Sequence, residues 1–166
     1  MSDLGQLAYF LGIEFKKTNN GIFMHQSKYT TDVLKRFHMI DCNSVSTPMK
    51  AWNIANQAEE DKQVDKTLFR QIISSLRYIC NTRSDIAYGV GLVSRFMKAP
   101  KQTYLIAVKR VMRYLKGAID FGITFPTKQN NKNNMELVGF SDADWCGDKM
   151  DRKSKLIIYS AVVMHQ

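Results

Sequence analysis

Four carboxylates crowd one short stretch of a chain that is otherwise strongly basic. Asp142, Asp144, Asp148 and Asp151 lie within VGFSDADWCGDKMD (138–151), whereas the 166-residue chain carries a formal net charge of +9. Hard divalent cations need several oxygen ligands on a rigid support, so clustered carboxylates at the end of a strand are candidate metal ligands, Asp142 and Asp144 first among them. The same residues also read as a solvated acidic turn, which is the commoner meaning of such spacing. A calcium loop is excluded, because Cys146 stands where an oxygen ligand belongs and Lys153 where the bidentate Glu should be.

A second constellation is basic. Over residues 102–116, at 100° per residue, Tyr104, Val108, Val111, Met112 and Leu115 share one arc of a helix. Lys109, Arg110, Arg113 and Lys116 share the opposite arc, with Ile106 the one apolar intruder. Such an arc is most often the wet face of a bundle helix. This one contains no acidic residue, which favours a surface that meets phosphates. The 24 Lys+Arg against 15 Asp+Glu point the same way, to nucleic acid first and an anionic membrane surface second.

Other chemistries are poorly supplied. Cys42, Cys80 and Cys146 form no C-x-x-C pair, and His25, His38 and His165 complete no zinc pattern, so the thiols read as reduced. The amino terminus lacks the basic start and apolar core of a signal peptide, and no apolar run approaches the ~18 residues of a membrane span. The expectation is an unsecreted, intracellular protein without a membrane anchor.

The elements that position these groups follow from periodicity. LAYFLGIEF (7–15), the turn signal Asn19-Asn20-Gly21 and the apolar run Ile22-Phe23-Met24 predict a β-hairpin. Ser27 is a candidate N-cap for a helix running to about Phe37, and residues 40–62, without periodicity, read as an extended linker. Three helices follow. Asp65 or Thr67 caps the first, which carries a stripe of Phe69, Ile72, Ile73, Leu76 and Ile79; Ser84 or Asp85 opens the second; the third carries the basic arc. Residues 121–125, 136–141 and 156–164 read as strands, and the first two are expected to pair antiparallel.

Taken in order, several phrases resemble one family, the reverse transcriptase region of copia-type LTR retrotransposon Pol polyproteins. They are LAYFLGIEF (7–15), GIFMHQSKYTTDVLKRF (21–37), DCNSVSTPM (41–49), VDKTLFRQII (64–73), SLRYICNTRSDIAYGVGLVSRFM (75–97), AVKRVMRYLKG (107–117) and LVGFSDADWCGDKMDRKS (137–154). The resemblance implies that Phe10, Leu11 and Gly12 correspond to a primer-grip hairpin at the palm edge. The helical middle corresponds to a thumb and connection that track a template–primer backbone. Residues from Ser141 onward would open a ribonuclease H domain, with Asp142 as its first metal-binding carboxylate and Mg2+ as the parent family's ion.

The implied fold is α+β: a palm-edge hairpin and helix (1–39), a linker (40–62), a three-helix thumb/connection-like bundle (63–118) and an incomplete ribonuclease H-like sheet (119–166). Departures from the family pattern matter too. Ser74, Ser84, Tyr104 and Ala118 replace the usual Gly, Pro, His and Thr, and residues after Ser154 leave the pattern. The family's Tyr-x-Asp-Asp polymerase hairpin has no counterpart, and the reading frame is expected to start at an internal methionine. The expectation is therefore a fragment that catalyses neither reaction alone, retains no functional metal, and at most binds RNA–DNA hybrid or duplex without sequence preference. The alternatives are a small basic binding module without catalysis, a minimal metal-dependent nuclease built on Asp142, Asp144, Asp148 and Asp151, and a relic reading frame with no selected function.

Overall fold

A computed structural model describes residues 7–49, 61–126, 135–144 and 155–164, the last two stretches as backbone and strand pairing only. The chain divides into two compact units, Met1–Thr127 and Lys128–Gln166.

The first unit is a four-stranded antiparallel sheet with a helical insertion. Its strands are β1 (Tyr9–Phe10), β2 (Ile13–Thr18), β3 (Gly21–His25) and β4 (Gly122–Pro126), in that spatial order. Among the described residues four helices, α1 (Ser27–Arg36), α2 (Lys66–Ile79), α3 (Ser84–Ser94) and α4 (Gln102–Gly117), lie in sequence between the neighbouring strands β3 and β4.

The single expected hairpin is two. Leu11 and Gly12 form a two-residue turn between β1 and β2, with φ of 48° and 79°. Positive φ at both central positions matches the right-handed twist of the flanking strands, and glycine adopts it without a Cβ penalty. Asn19-Asn20 then links Thr18 to Gly21 as the sequence predicts. Gly21, at φ 147°, lies so close to the Phe125 carbonyl that a Cβ there would collide with it.

The pairing expected for the strand near residue 121 is corrected. β4 does not pair with the strand that follows it; it pairs with β3, setting Phe23 opposite Thr124 and Met24 opposite Ile123. The second unit is a ribbon of β5 (Met135–Asp144) and β6 (Lys155–Met164), antiparallel, with Val138 opposite Ala161.

The core of the first unit is helical. Phe69, Ile73, Leu76 and Ile79 of α2, Ile86, Val90 and Val93 of α3, and Val108, Val111, Met112 and Leu115 of α4 are buried together, as the helical stripes imply. Val33 and Leu34 join them, so α1 belongs to the same core. α1 ends in a Schellman motif: Met39 N–H donates to the Leu34 carbonyl (2.8 Å) and His38 N–H to that of Lys35 (3.1 Å). His38, not glycine, takes the left-handed position at φ 56°. Ser27 is not the N-cap; Gln26 is, and Ser27 Oγ donates to the Ile119 carbonyl, tying the start of α1 to the run into β4. Asp65 caps α2 as expected, accepting from Thr67 N–H at 2.8 Å.

Candidate nucleic-acid interface

The outer arc of α4 is where the sequence places it. Its inner arc is fully buried, which turns Lys109 to solvent and leaves Arg110, Arg113 and Lys116 half-exposed. The helix has no acidic residue, nor has α2. Its N-terminus borrows a carboxylate instead: Asp61 accepts from the backbone N–H (2.5 Å) and the hydroxyl of Thr103. Those hydrogen bonds hold the Asp61 carboxyl below its usual pKa.

Two members of the arc are not open to solvent in the way periodicity implies. Arg113 Nε donates to the Asn43 carbonyl (2.8 Å) and an Arg110 terminal nitrogen donates to Thr47 Oγ1 (2.7 Å). Residues 40–49, read from sequence as linker, therefore lie along α4. Met39, Ile40 and Met49 anchor this strap on the core, and Ser44 packs so closely on Gly117 that a Cβ there would sit 2.9 Å from it. Both acceptors are uncharged, and among the described residues neither guanidinium has a carboxylate within ion-pair distance. The arc keeps its positive charge.

The β1–β2 turn presents the other expected contact group. Phe10 and Leu11 are exposed, Leu11 at 71%, and Tyr9 and Leu7 extend the apolar patch. The turn is fastened from below: the Tyr78 hydroxyl donates to the Leu11 carbonyl, and its ring lies 3.5 Å from a Cβ built on Gly12. Tyr29 meets Tyr78 edge-on at 4.9 Å, and Leu11, Gly12, Tyr29 and Tyr78 line an open apolar depression of about 490 Å³. Lys28 Nζ stands 5.7 Å over the Tyr9 ring. Phe10, Leu11 and Gly12 thus share one rigidly seated tip, supported by tyrosines that no sequence motif singles out.

A buried cation joins α3, α4 and the approach to β4. Arg83 is 3% exposed; Nε and one terminal nitrogen donate to the two Asp85 oxygens (2.9 and 2.7 Å), and the other terminal nitrogen donates to the Ala118 carbonyl (2.5 Å). Its guanidinium lies over the rings of Tyr114 and Phe121, at 5.6 and 5.3 Å. Burial raises the Asp85 pKa, but the hydrogen bonds from Arg83 and Tyr114 and the Arg83 charge outweigh it, leaving the carboxyl below its usual value. Arg83 looks like any surface cation in sequence. Only the adjacent Asp85 and the aromatics brought from α4 and residue 121 make it structural.

Asp142 and Asp144 lie at the end of β5, opposite Ile157 and Lys155 in the ribbon. Their side chains lie outside the described residues, as do Asp148 and Asp151. Two Mg2+ ions ~3.5–4 Å apart require several converging carboxylates. The described strands of this unit hold, besides these two, only Glu136, six positions away and roughly 20 Å along the strand. Glu136 therefore lies too far along the strand to join Asp142 and Asp144 around one pair of ions. Among the described residues no helix is long and apolar enough to cross a membrane.

Residues 1–51 match the family model "Reverse transcriptase (RNA-dependent DNA polymerase)", a range that takes in the β1–β2 turn, α1 and the strap. The chain is 40% identical over 151 residues, 91% of its length, to the retrovirus-related Pol polyprotein from transposon RE1 of Arabidopsis thaliana. It is 34% identical over 164 residues to that from transposon TNT 1-94 of Nicotiana tabacum. It spans only 10% and 12% of those two polyproteins. An uncharacterised mitochondrial protein of Arabidopsis thaliana is 37% identical over 154 residues, and the chain covers 62% of it. No solved structure matches.

Proposed function

This chain belongs to the Pol polyproteins of copia-type retrotransposons, and from that premise we propose that it is a nucleic-acid-holding segment of the reverse transcriptase, without catalysis of its own. Its substrate class is duplex or RNA–DNA hybrid, gripped through the phosphate backbone and without regard to sequence. The observation that carries this reading is the α4 arc: four cations on one helix face, no acid on the helix, and no carboxylate facing the arginines among the described residues. Duplex phosphates are the natural complement, and displaced counterions supply most of the binding free energy.

The seated β1–β2 tip supports the same reading. An exposed Tyr9-Phe10-Leu11 on a turn locked by Tyr78 offers aromatic and apolar surface of the kind on which bases stack. The β5–β6 ribbon is proposed as the opening of a ribonuclease H-like sheet, with Asp142 and Asp144 as carboxylates that hold at most one ion weakly. Inactivity follows in this reading from chemistry: a grip positions a primer but moves no phosphoryl group, and the described strands bring no further carboxylate near Asp142 and Asp144.

Two assays on the purified full chain test this. Fluorescence anisotropy with a labelled RNA–DNA hybrid should show sequence-indifferent binding in the range ~10⁻⁴–10⁻⁶ M near physiological salt. Primer extension and hybrid cleavage with millimolar Mg2+ or Mn2+ should yield no product. Metal-dependent cleavage that vanished in Asp142→Asn would replace the holding role with a nuclease.

A further inference from the structure

The strap and a phosphate backbone compete for the same two guanidinium groups. Residues 41–48 cross the basic face of α4 between apolar anchors, Met39 and Ile40 before them and Met49 after them. Between those anchors the strap is mostly exposed, and its polar hold on α4 is the Asn43 carbonyl on Arg113 and the Thr47 hydroxyl on Arg110. Both are neutral acceptors for charged donors. A phosphate oxygen accepts from the same donors with opposite charges on the two sides, and a phosphate can take the planar guanidinium fork bidentately, which adds energy and geometric specificity that a single neutral acceptor lacks. The closed strap also leaves Arg110 Nε buried with no partner among the described residues, a standing cost of the covered state that an anion reaching the guanidinium edge would remove.

We infer that Arg110 and Arg113 form a masked phosphate-contact pair, uncovered when a nucleic-acid backbone displaces the middle of the 41–49 strap from α4. This rests on the holding role proposed above and divides the arc in two. Lys109 and Lys116, which have no hydrogen-bond or ion-pair partner among the described residues, meet the backbone first. Arg110 and Arg113 then join as the strap yields. Its anchors keep the displaced segment tethered, so closure follows release of the nucleic acid.

Cys42, half-buried within the strap, reports the motion directly. Maleimide labelling of the full chain, followed by peptide mass, measures its rate with Cys80 of α2's C-cap as internal reference. A saturating 16-base-pair DNA duplex should accelerate Cys42 labelling at least threefold and leave Cys80 unchanged. Thr47→Val removes one strap acceptor at an exposed position; it should raise the basal Cys42 rate and tighten duplex binding about threefold to tenfold, with the salt dependence kept. Duplex that binds while Cys42 labelling stays constant or slows overturns the masked pair and leaves the holding role intact. So does weaker binding by Thr47→Val, since the strap would then be aligning the arginines. Failure of any duplex to bind overturns both.

Discussion

Replacing Arg83 with Met should be among the most damaging single changes in the first unit, although the residue touches no candidate ligand. The side chain is almost wholly buried, donates three hydrogen bonds, and lies against two aromatic rings. Breaking a buried charge pair by removing one partner costs about 3–5 kcal/mol, because the other charge stays behind. Here the Asp85 side chain is 36% exposed, so water re-solvates it and recovers part of that loss. Against this, the Ala118 carbonyl loses its guanidinium donor, at roughly 1–3 kcal/mol, and Met fills most of the volume. A net loss of about 3 kcal/mol follows. Urea unfolding of Arg83→Met, Asp85→Asn and the double variant checks it: the single Arg83 change should cost more than the double variant, which removes the stranded carboxylate. A loss under about 1 kcal/mol for Arg83→Met, or additive costs in the cycle, would refute the buried-pair account.

Two further outcomes are expected. His38→Gly should stabilise the chain by about 1 kcal/mol, because His38 holds the left-handed position of a Schellman motif that glycine adopts without strain; a lower thermal midpoint would contradict the assigned cap. Asp85 has a folded pKa below its ordinary value of about 3.9, so its contribution is present above that pH and fades as pH falls through the folded value. The stability gap between wild type and Asp85→Asn should accordingly be widest near pH 6 and shrink below about pH 4, and a gap that grew on acidification would reverse the sign.

The helical part of the fold was legible because its information is local. Apolar residues at helical spacing in 69–79 and 104–115 put their burial in plain view, and the basic arc of α4 is the complement of that stripe. The partner of β4 was not legible. FGITF is equally good as a partner for the next strand or for one about a hundred residues earlier, and only the packing of the intervening helices brings it beside β3. The Leu11-Gly12 turn carries no sequence signal because Leu is a rare occupant of positive φ; the Tyr78 hydroxyl that holds it comes from α2. The strap shows the same limit. Ser-, Asn- and Pro-rich composition identifies a segment without its own secondary structure, yet what it lies on depends on Arg110 and Arg113, whose helical phase says only that they face outward. The role proposed for Asp142 and Asp144 rests on the resemblance and on their place near the end of β5, opposite Ile157 and Lys155.

The central claim, that the α4 arc holds a nucleic-acid backbone through its charge, is tested most directly by the salt dependence of binding. Association constants for a labelled duplex should be measured from about 50 to 200 mM salt for the wild-type chain and for Lys109→Gln/Arg110→Gln/Arg113→Gln/Lys116→Gln. Each phosphate contact contributes a slope of roughly 0.9 in log K against log salt. The fourfold variant should therefore bind more weakly at low salt, with a slope shallower by about two to four, while circular dichroism shows the helical core unchanged. A variant that bound with the wild-type affinity and slope would contradict the account.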